Sequence, residues 1–295
     1  MTRKKKVIVK SPASMVPEIP LRILDSLPEP DIWSGRVNES ISELNFLLGK
    51  MPETYSWRFR TKDALAAEIH EIVSNDPTAK EINSVYWLDT LKSLEAFTIM
   101  SVWRTAELLT NATAAITDGR TIVAAILARS ALETVAQFVE VARRVAPTVS
   151  ELVRHSFVSD LIVSQELEDI ILKSVFASKL PDEEDYYSPT NIMTIIARIA
   201  KSPGQERISL SYSELCEVTH PNFLGRSVYV RNLLPGARVG DEVRTLSRAH
   251  GPNAQVISVP TVWAVSWAAA TQVTSANLMQ SSIGTVFAKL NMVMH

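Results

Sequence analysis

The sequence predicts a mainly α protein: an antiparallel helical bundle with a small β-hairpin or three-stranded insertion before its C-terminal helix. Three observations carry this expectation. Apolar residues recur at helical spacing over stretches far longer than a strand. Only 9 of the 295 residues are glycine. Alternating, β-branched character is confined to one region, about 226–259. The chain divides into a Pro-rich arm, 1–37, and a single helical domain, 38–295, that carries the β insertion.

The arm contains Pro12, Pro17, Pro20, Pro28 and Pro30, a density that favours extended backbone lying on the domain or left loose. Its basic start, Arg3-Lys4-Lys5-Lys6, is followed by an apolar run of only Val7-Ile8-Val9, far too short for the core of a signal peptide. Asn38 to Leu48 reads as a helix with Ile41, Leu44, Leu47 and Leu48 in phase. Lys62 to Val73 reads as another, stopped by Asn75-Asp76-Pro77. From Glu81 to Ile116 a long helix carries Val85, Leu88, Leu91, Leu94, Thr98 and Val102 on one stripe and ends at Asp118-Gly119. A second long helix is expected from Arg120 to Val145, stopping before Pro147. A third should start at Thr148 or Ser150 and run to about Phe176. Short connections between long helices favour antiparallel packing.

An acidic loop, Pro181 to Asp185, precedes a short helix at 191–200 ended by Ser202-Pro203-Gly204. Ser211 and Glu214 form a capping-box pattern that starts a helix at Tyr212, and Pro221 ends it near His220. Asn222 and Gly225 supply turn chemistry. Ser227 to Arg231 alternates, Pro235-Gly236 makes a turn, and Val256-Ile257-Ser258-Val259 reads as a strand. The last helix should run from Pro260-Thr261 to Leu290. It lies in a stretch, Gly251 to Ala288, without a charged residue, yet Thr271, Gln272, Thr274, Ser275 and Asn277 interrupt it before a membrane-spanning length is reached. A helix buried among helices is the expectation.

Bulk properties narrow the function classes. Hydrophobic residues make up 46% and charged residues 21%, values of a globular chain. A net charge of −2 gives no global basic field for non-specific nucleic-acid binding. Cys216 is the only cysteine, so there is no intramolecular disulfide or multi-cysteine metal site, and a reducing cytosol suits it. Neither a phosphate-binding glycine loop nor a nucleophile elbow occurs, and no cofactor is implied.

Candidate functional residues fall in two places. Arg129, Glu133, Gln137, Glu140 and Arg144 share one face of the second long helix. They read either as a solvated stripe or, for Arg129 and Glu133 between apolar neighbours, as a buried or cleft-lining ion pair. The second place is Ser211–Gly225. His220 sits where the negative end of a helix dipole favours a protonated ring, a position for carbonyl capping or for acid/base work. Glu217 and His220 lie at i, i+3, but a di-metal bundle needs that pair twice, so no metal is expected. Arg244 and His250 have the Arg-x5-His spacing of HEPN ribonucleases, but in a stretch read as strand.

Taken together, Ala128-Arg129-Ser130-Ala131-Leu132-Glu133 and Tyr212-x-x-Leu215-Cys216-x-x-x-His220-Pro221-Asn222-x-x-Gly225 resemble a pattern of uncharacterised bacterial helical families, some distantly HEPN-like, over roughly 81–290. The resemblance implies a bundle in which Arg129, Glu133, Tyr212, His220 and Asn222 meet in one cleft. Two readings follow. One is a bacterial binding or regulatory module with a polar cleft around His220 and with Tyr212, Glu217 and Asn222 as binding residues. The other is a HEPN-like ribonuclease, a toxin or antiphage component acting on RNA. There His220 is the acid/base, Arg129 the oxyanion stabiliser and Glu133 the orienting group. The apolar surface suits a homodimer, although no heptad run fixes an interface.

Overall fold

The computed structural model describes residues 15–33, 35–58, 62–175, 190–220, 222–235 and 242–290. The acidic loop 181–185, the basic start of the chain, Pro221 and Gly236 of the expected Pro235-Gly236 turn lie outside them. Among the described residues the fold is mainly α-helical, with one two-stranded antiparallel hairpin.

Three long helices form the frame: α5 (Ala79–Thr117), α6 (Thr121–Leu152) and α11 (Ala254–Lys289). Thr78 and Glu81 make a reciprocal capping box at the start of α5. Its end is a Schellman turn. Gly119 has φ +71° and donates to the Ile116 carbonyl, while Arg120 donates to that of Ala115. The reversal is tight, so α5 and α6 run antiparallel, and side chains equidistant from the turn meet: Arg104 Nε donates to Thr134 Oγ1 at 3.2 Å, and the Phe97 and Phe138 rings lie 5.7 Å apart. Thr105 pairs with Gln272 and Lys92 lies over the Phe287 ring, so α11 runs antiparallel to α5 as well. Trp87, Leu91, Leu94, Leu109, Leu132, Phe138, Val262 and Met279 are among the core residues sealed between these helices.

α6 continues past Pro147 to Leu152, beyond the expected stop at Val145. Proline removes one donor, and the carbonyl it frees belongs to Arg143, which like Pro147 is an exposed residue. Burial of Val149 holds the extra turn in place. The expected third helix is instead a loop, 153–164, followed by α7 (Gln165–Val175). Asn83, wholly buried on α5, fixes that loop: its Nδ2 donates to the Phe157 and Asp160 carbonyls and its Oδ1 accepts from Ile162 N–H at 2.8 Å. Trp87 Nε1 donates to the Ile162 carbonyl and Tyr86 bridges Ser164. These contacts turn the first part of α5 inward on Asn83, Tyr86 and Trp87, leaving Leu88 partly exposed.

The remaining helices pack on this frame. α8 (Ile192–Ile199) is capped by the Asn191 side chain, which accepts from Met193 N–H. α9 begins at Arg207, not at Tyr212, and ends at Thr219 with His220 extended. Ile208, Ser211, Tyr212, Leu215 and Val218 form its buried stripe, so Ser211 is a core position and not a cap. Gly225 sits in a short helix, α10 (Phe223–Ser227), where a Cβ would fall 2.8 Å from the Val218 carbonyl oxygen. Close approach of two backbones, not turn conformation, demands glycine there.

β1 (Val230–Pro235) and β2 (Glu242–Leu246) form the hairpin, with a bulge at Arg231. Val256–Val259, read from the sequence as a strand, lies in the first two turns of α11, with Ile257 and Thr261 buried one turn apart. Packing overrides the local β propensity. Pro260 lies inside the helix, and the carbonyl it frees, that of Val256, is on an exposed residue.

The stretch from Val16 to Trp33 closes one side of the bundle. Val16, Ile19, Leu24, Leu27 and Trp33 are buried in the common core. Two short helices, α1 (Leu21–Leu24) and α2 (Pro30–Trp33), shorten the expected extended path. Against α3 (Arg36–Lys50), Asn45 bonds both the N–H and the carbonyl of Val16, and Asn38 does the same for Ile19. α4 (Lys62–Val73) packs on α5. By length and composition α6 and α11 are each apolar enough to cross a membrane, with 50% and 56% of those windows buried inside the bundle.

Candidate functional site

α9 crosses α6 antiparallel, and this crossing unites residues some eighty positions apart. The Tyr212 hydroxyl donates to Glu133 Oε1 at 2.9 Å. Arg129 Nε lies 3.0 Å from the same oxygen, a charge contact without hydrogen-bond alignment. One Arg129 Nη donates to Thr219 Oγ1 and the other, at 3.4 Å, to the Tyr212 hydroxyl, while the guanidinium sits 5.4 Å from the Tyr212 ring centre. Local sequence explains the convergence. Ala128 and Leu132 are fully buried and orient α6, which places Arg129 and Glu133 at the rim beside them. The buried stripe of α9 turns Tyr212 onto them.

Electrostatics follow from this arrangement. Burial pulls the Arg129 pKa down, but the bond to Tyr212 and the charge of Glu133 outweigh it, so the group stays charged and above its ordinary value. Burial, partly countered by Arg129 and reinforced by Glu133, pushes the Tyr212 phenol up to about 12. Tyr212 is therefore a neutral donor across the physiological range. Glu133 Oε1 serves both partners, and its Oε2 has none among the described residues.

Arg129, Glu133 and Tyr212, which the resemblance brought to one cleft, do meet. Thr219 is the member that sequence reasoning missed, although its place one turn after Leu215 on α9 was available as a signal. His220 follows Thr219 directly but is exposed, and its ring has no hydrogen bond to the cluster among the described residues. Asn222 donates to Glu217 at 3.0 Å, a surface pair apart from the Arg129 network. No group of three or more His, Cys, Asp or Glu positioned to hold a metal ion occurs among the described residues. Arg244 lies on β2 over the Phe223 ring and His250 in the loop before α11, so the Arg-x5-His spacing is not carried on a bundle helix.

Glu133 also opens onto space. A cavity of about 410 Å³ is lined by Glu133, Ser130, Thr134 and Gln137 of α6 and by Met100 and Arg104 of α5. A second, of about 280 Å³, continues along α6 past Gln137 to Glu140 and Arg144, facing Lys173 of α7. Phe97, Gln137 and Ser174 line both, making one groove along α6. The polar stripe of α6 is thus the wall of a groove. His220 does not line it. The wall is itself ordered at one point, where Arg198 grips Glu140 at 2.6 Å.

No family model, no curated protein and no solved structure matches the chain.

Proposed function

We propose that the protein is a binding or regulatory module of a bacterial cytosol that takes a small polar ligand in the groove along α6. One observation carries the reading: Glu133, held at Oε1 by Tyr212 and Arg129, lines the groove with Oε2 unclaimed. A carboxylate fixed by two partners on one oxygen is a preorganised acceptor on the other, suited to an ammonium or amide donor. Gln137 and Arg104 add a neutral and a cationic polar contact, and Phe97 and Met100 an apolar floor. Mixed polarity over an apolar base is the composition of small-ligand sites.

The test is a thermal-shift screen of the full chain against a panel of amino acids, polyamines and amides, repeated with Glu133→Gln. A ligand that raises the melting temperature of the wild type, and no longer does so for Glu133→Gln or Gln137→Ala, supports the groove. Equal shifts in all three proteins remove it.

A second reading, RNA cleavage in the HEPN manner, is favoured by one feature: Arg129 grips Thr219, the residue just before the exposed His220. In that reading His220 acts as acid/base at a phosphodiester and Arg129 exchanges Thr219 for a phosphate oxygen. Incubation with a labelled RNA should then give cleavage that His220→Ala and Arg129→Ala both abolish at unchanged melting temperature. Loss in neither variant ends this reading and leaves the module.

A further inference from the structure

The α5–α6 reversal borders a separate cavity, of about 390 Å³ and open to solvent, on which the α6 groove has no claim. Gly119, Arg120, Ile122 and Val123 form one wall, and Tyr229, Arg248 and His250, which flank the hairpin, form the other. Among the described residues two guanidinium groups and an imidazole line it, and no carboxylate does. Arg120 is tied to Asp118 at 2.9 Å, whereas Arg248 is exposed and has no partner among the described residues. His250 is held in place by two contacts. Its Nδ1 meets Thr121 Oγ1 at 3.1 Å, and its ring stands edge-on to Tyr229 at 5.6 Å, while Nε2 has no partner among the described residues.

The backbone adds donors to the same wall. α6 begins without a side-chain cap and without an acidic residue in its first turn. Ala124 is the first amide to bond back, to Arg120, so the three preceding N–H groups have no partner within the helix. A concave space lined by two arginines, an imidazole and open amides is complementary to a tetrahedral dianion. The volume exceeds what one such ion fills, and Ile122, Val123 and the Tyr229 ring offer apolar and aromatic surface beside the charges.

We propose that this cavity binds a phosphate group, with Arg248 and His250 as the side chains that select it and the first turn of α6 as its backbone cradle. The proposal is independent of the α6 groove, since the two share no lining residue.

The experiment is calorimetric titration of the full chain at low ionic strength with two probes, inorganic phosphate and adenosine 5′-monophosphate. Saturable binding of at least one is expected, weakened about tenfold or more by Arg248→Ala and by His250→Ala, with melting temperatures unchanged without ligand, and unaffected by Arg154→Ala at a distant exposed arginine. Equal affinity for the two probes identifies free phosphate as the ligand, and tighter binding of the nucleotide identifies an organic phosphate. Absence of saturable binding of both probes overturns the proposal, as does binding to Arg248→Ala and His250→Ala that matches the wild type.

Discussion

At Tyr212 two effects act in the same direction: burial removes the phenol from water, and Glu133 favours the protonated hydroxyl it accepts from. Arg129 opposes them without prevailing. Because the folded pKa, about 12, is above the ordinary value of 10.0, this group's contribution to stability is complete below pH 10. It is lost as pH rises through about 12, where the folded phenol too ionises. A phenolate absorbance titration should therefore show a late-ionising component that Tyr212→Phe removes. Its persistence in the variant would refute the assignment. Arg129 is more than a charge here, since its fork reaches Thr219, Tyr212 and Glu133. Arg129→Ala leaves a partly buried carboxylate without its cation and should cost about 1–3 kcal/mol in urea unfolding. Arg129→Lys should recover little, because an ammonium cannot span three partners. The convergence of Arg129, Glu133 and Tyr212 was legible only through the resemblance. Periodicity placed Arg129 and Glu133 on one face, but nothing local says which helix covers that face.

Elements were legible in proportion to how far local rules decided them. The Asp118-Gly119 stop of α5 needs only a left-handed residue after a helix, and it stands where the sequence puts it. Pro147 and Pro260 misled because a proline penalises a helix without forbidding it, and the burial of Val149, Ile257 and Thr261 that offsets the penalty is a tertiary fact. The Ser211-x-x-Glu214 pattern misled for a similar reason. A capping box and an internal turn read alike until Ile208, one turn earlier, is known to be buried. Loop 153–164 was unreadable, since its conformation is dictated by Asn83, more than seventy residues upstream. Asn83→Ala orphans a buried amide and two carbonyls, so it should destabilise by about 2–3 kcal/mol. Amide hydrogen exchange at Ile162 should accelerate with it. An unchanged rate there would show that Trp87 and Tyr86 suffice.

For the whole molecule, the class and the long-helix frame followed from apolar periodicity, while the groove along α6 did not. A groove is a property of what fails to pack, and sequence patterns report what packs. The stripe from Arg129 to Arg144 looks solvated because it is polar, and on one helix in isolation that would hold. In the bundle, α5 on one flank and α7 on the other make it a wall. Function can therefore be sought at two separate places on this frame, the groove and the α5–α6 reversal, without either depending on the other.

The pair of asparagines on α3 has a metric consequence. Asn38 and Asn45 are seven residues apart, about 10 Å along a helix, and the residues they hold, Ile19 and Val16, are three apart, about 10 Å along extended chain. Helix and strand keep step over this one interval, so α3 works as a ruler that reads spacing through backbone atoms, indifferent to side-chain identity. Inserting one alanine between Pro17 and Glu18 should uncouple one asparagine and expose Val16 or Ile19, lowering the melting temperature by several degrees. Substituting Glu18 by alanine, which keeps the spacing, should leave it unchanged.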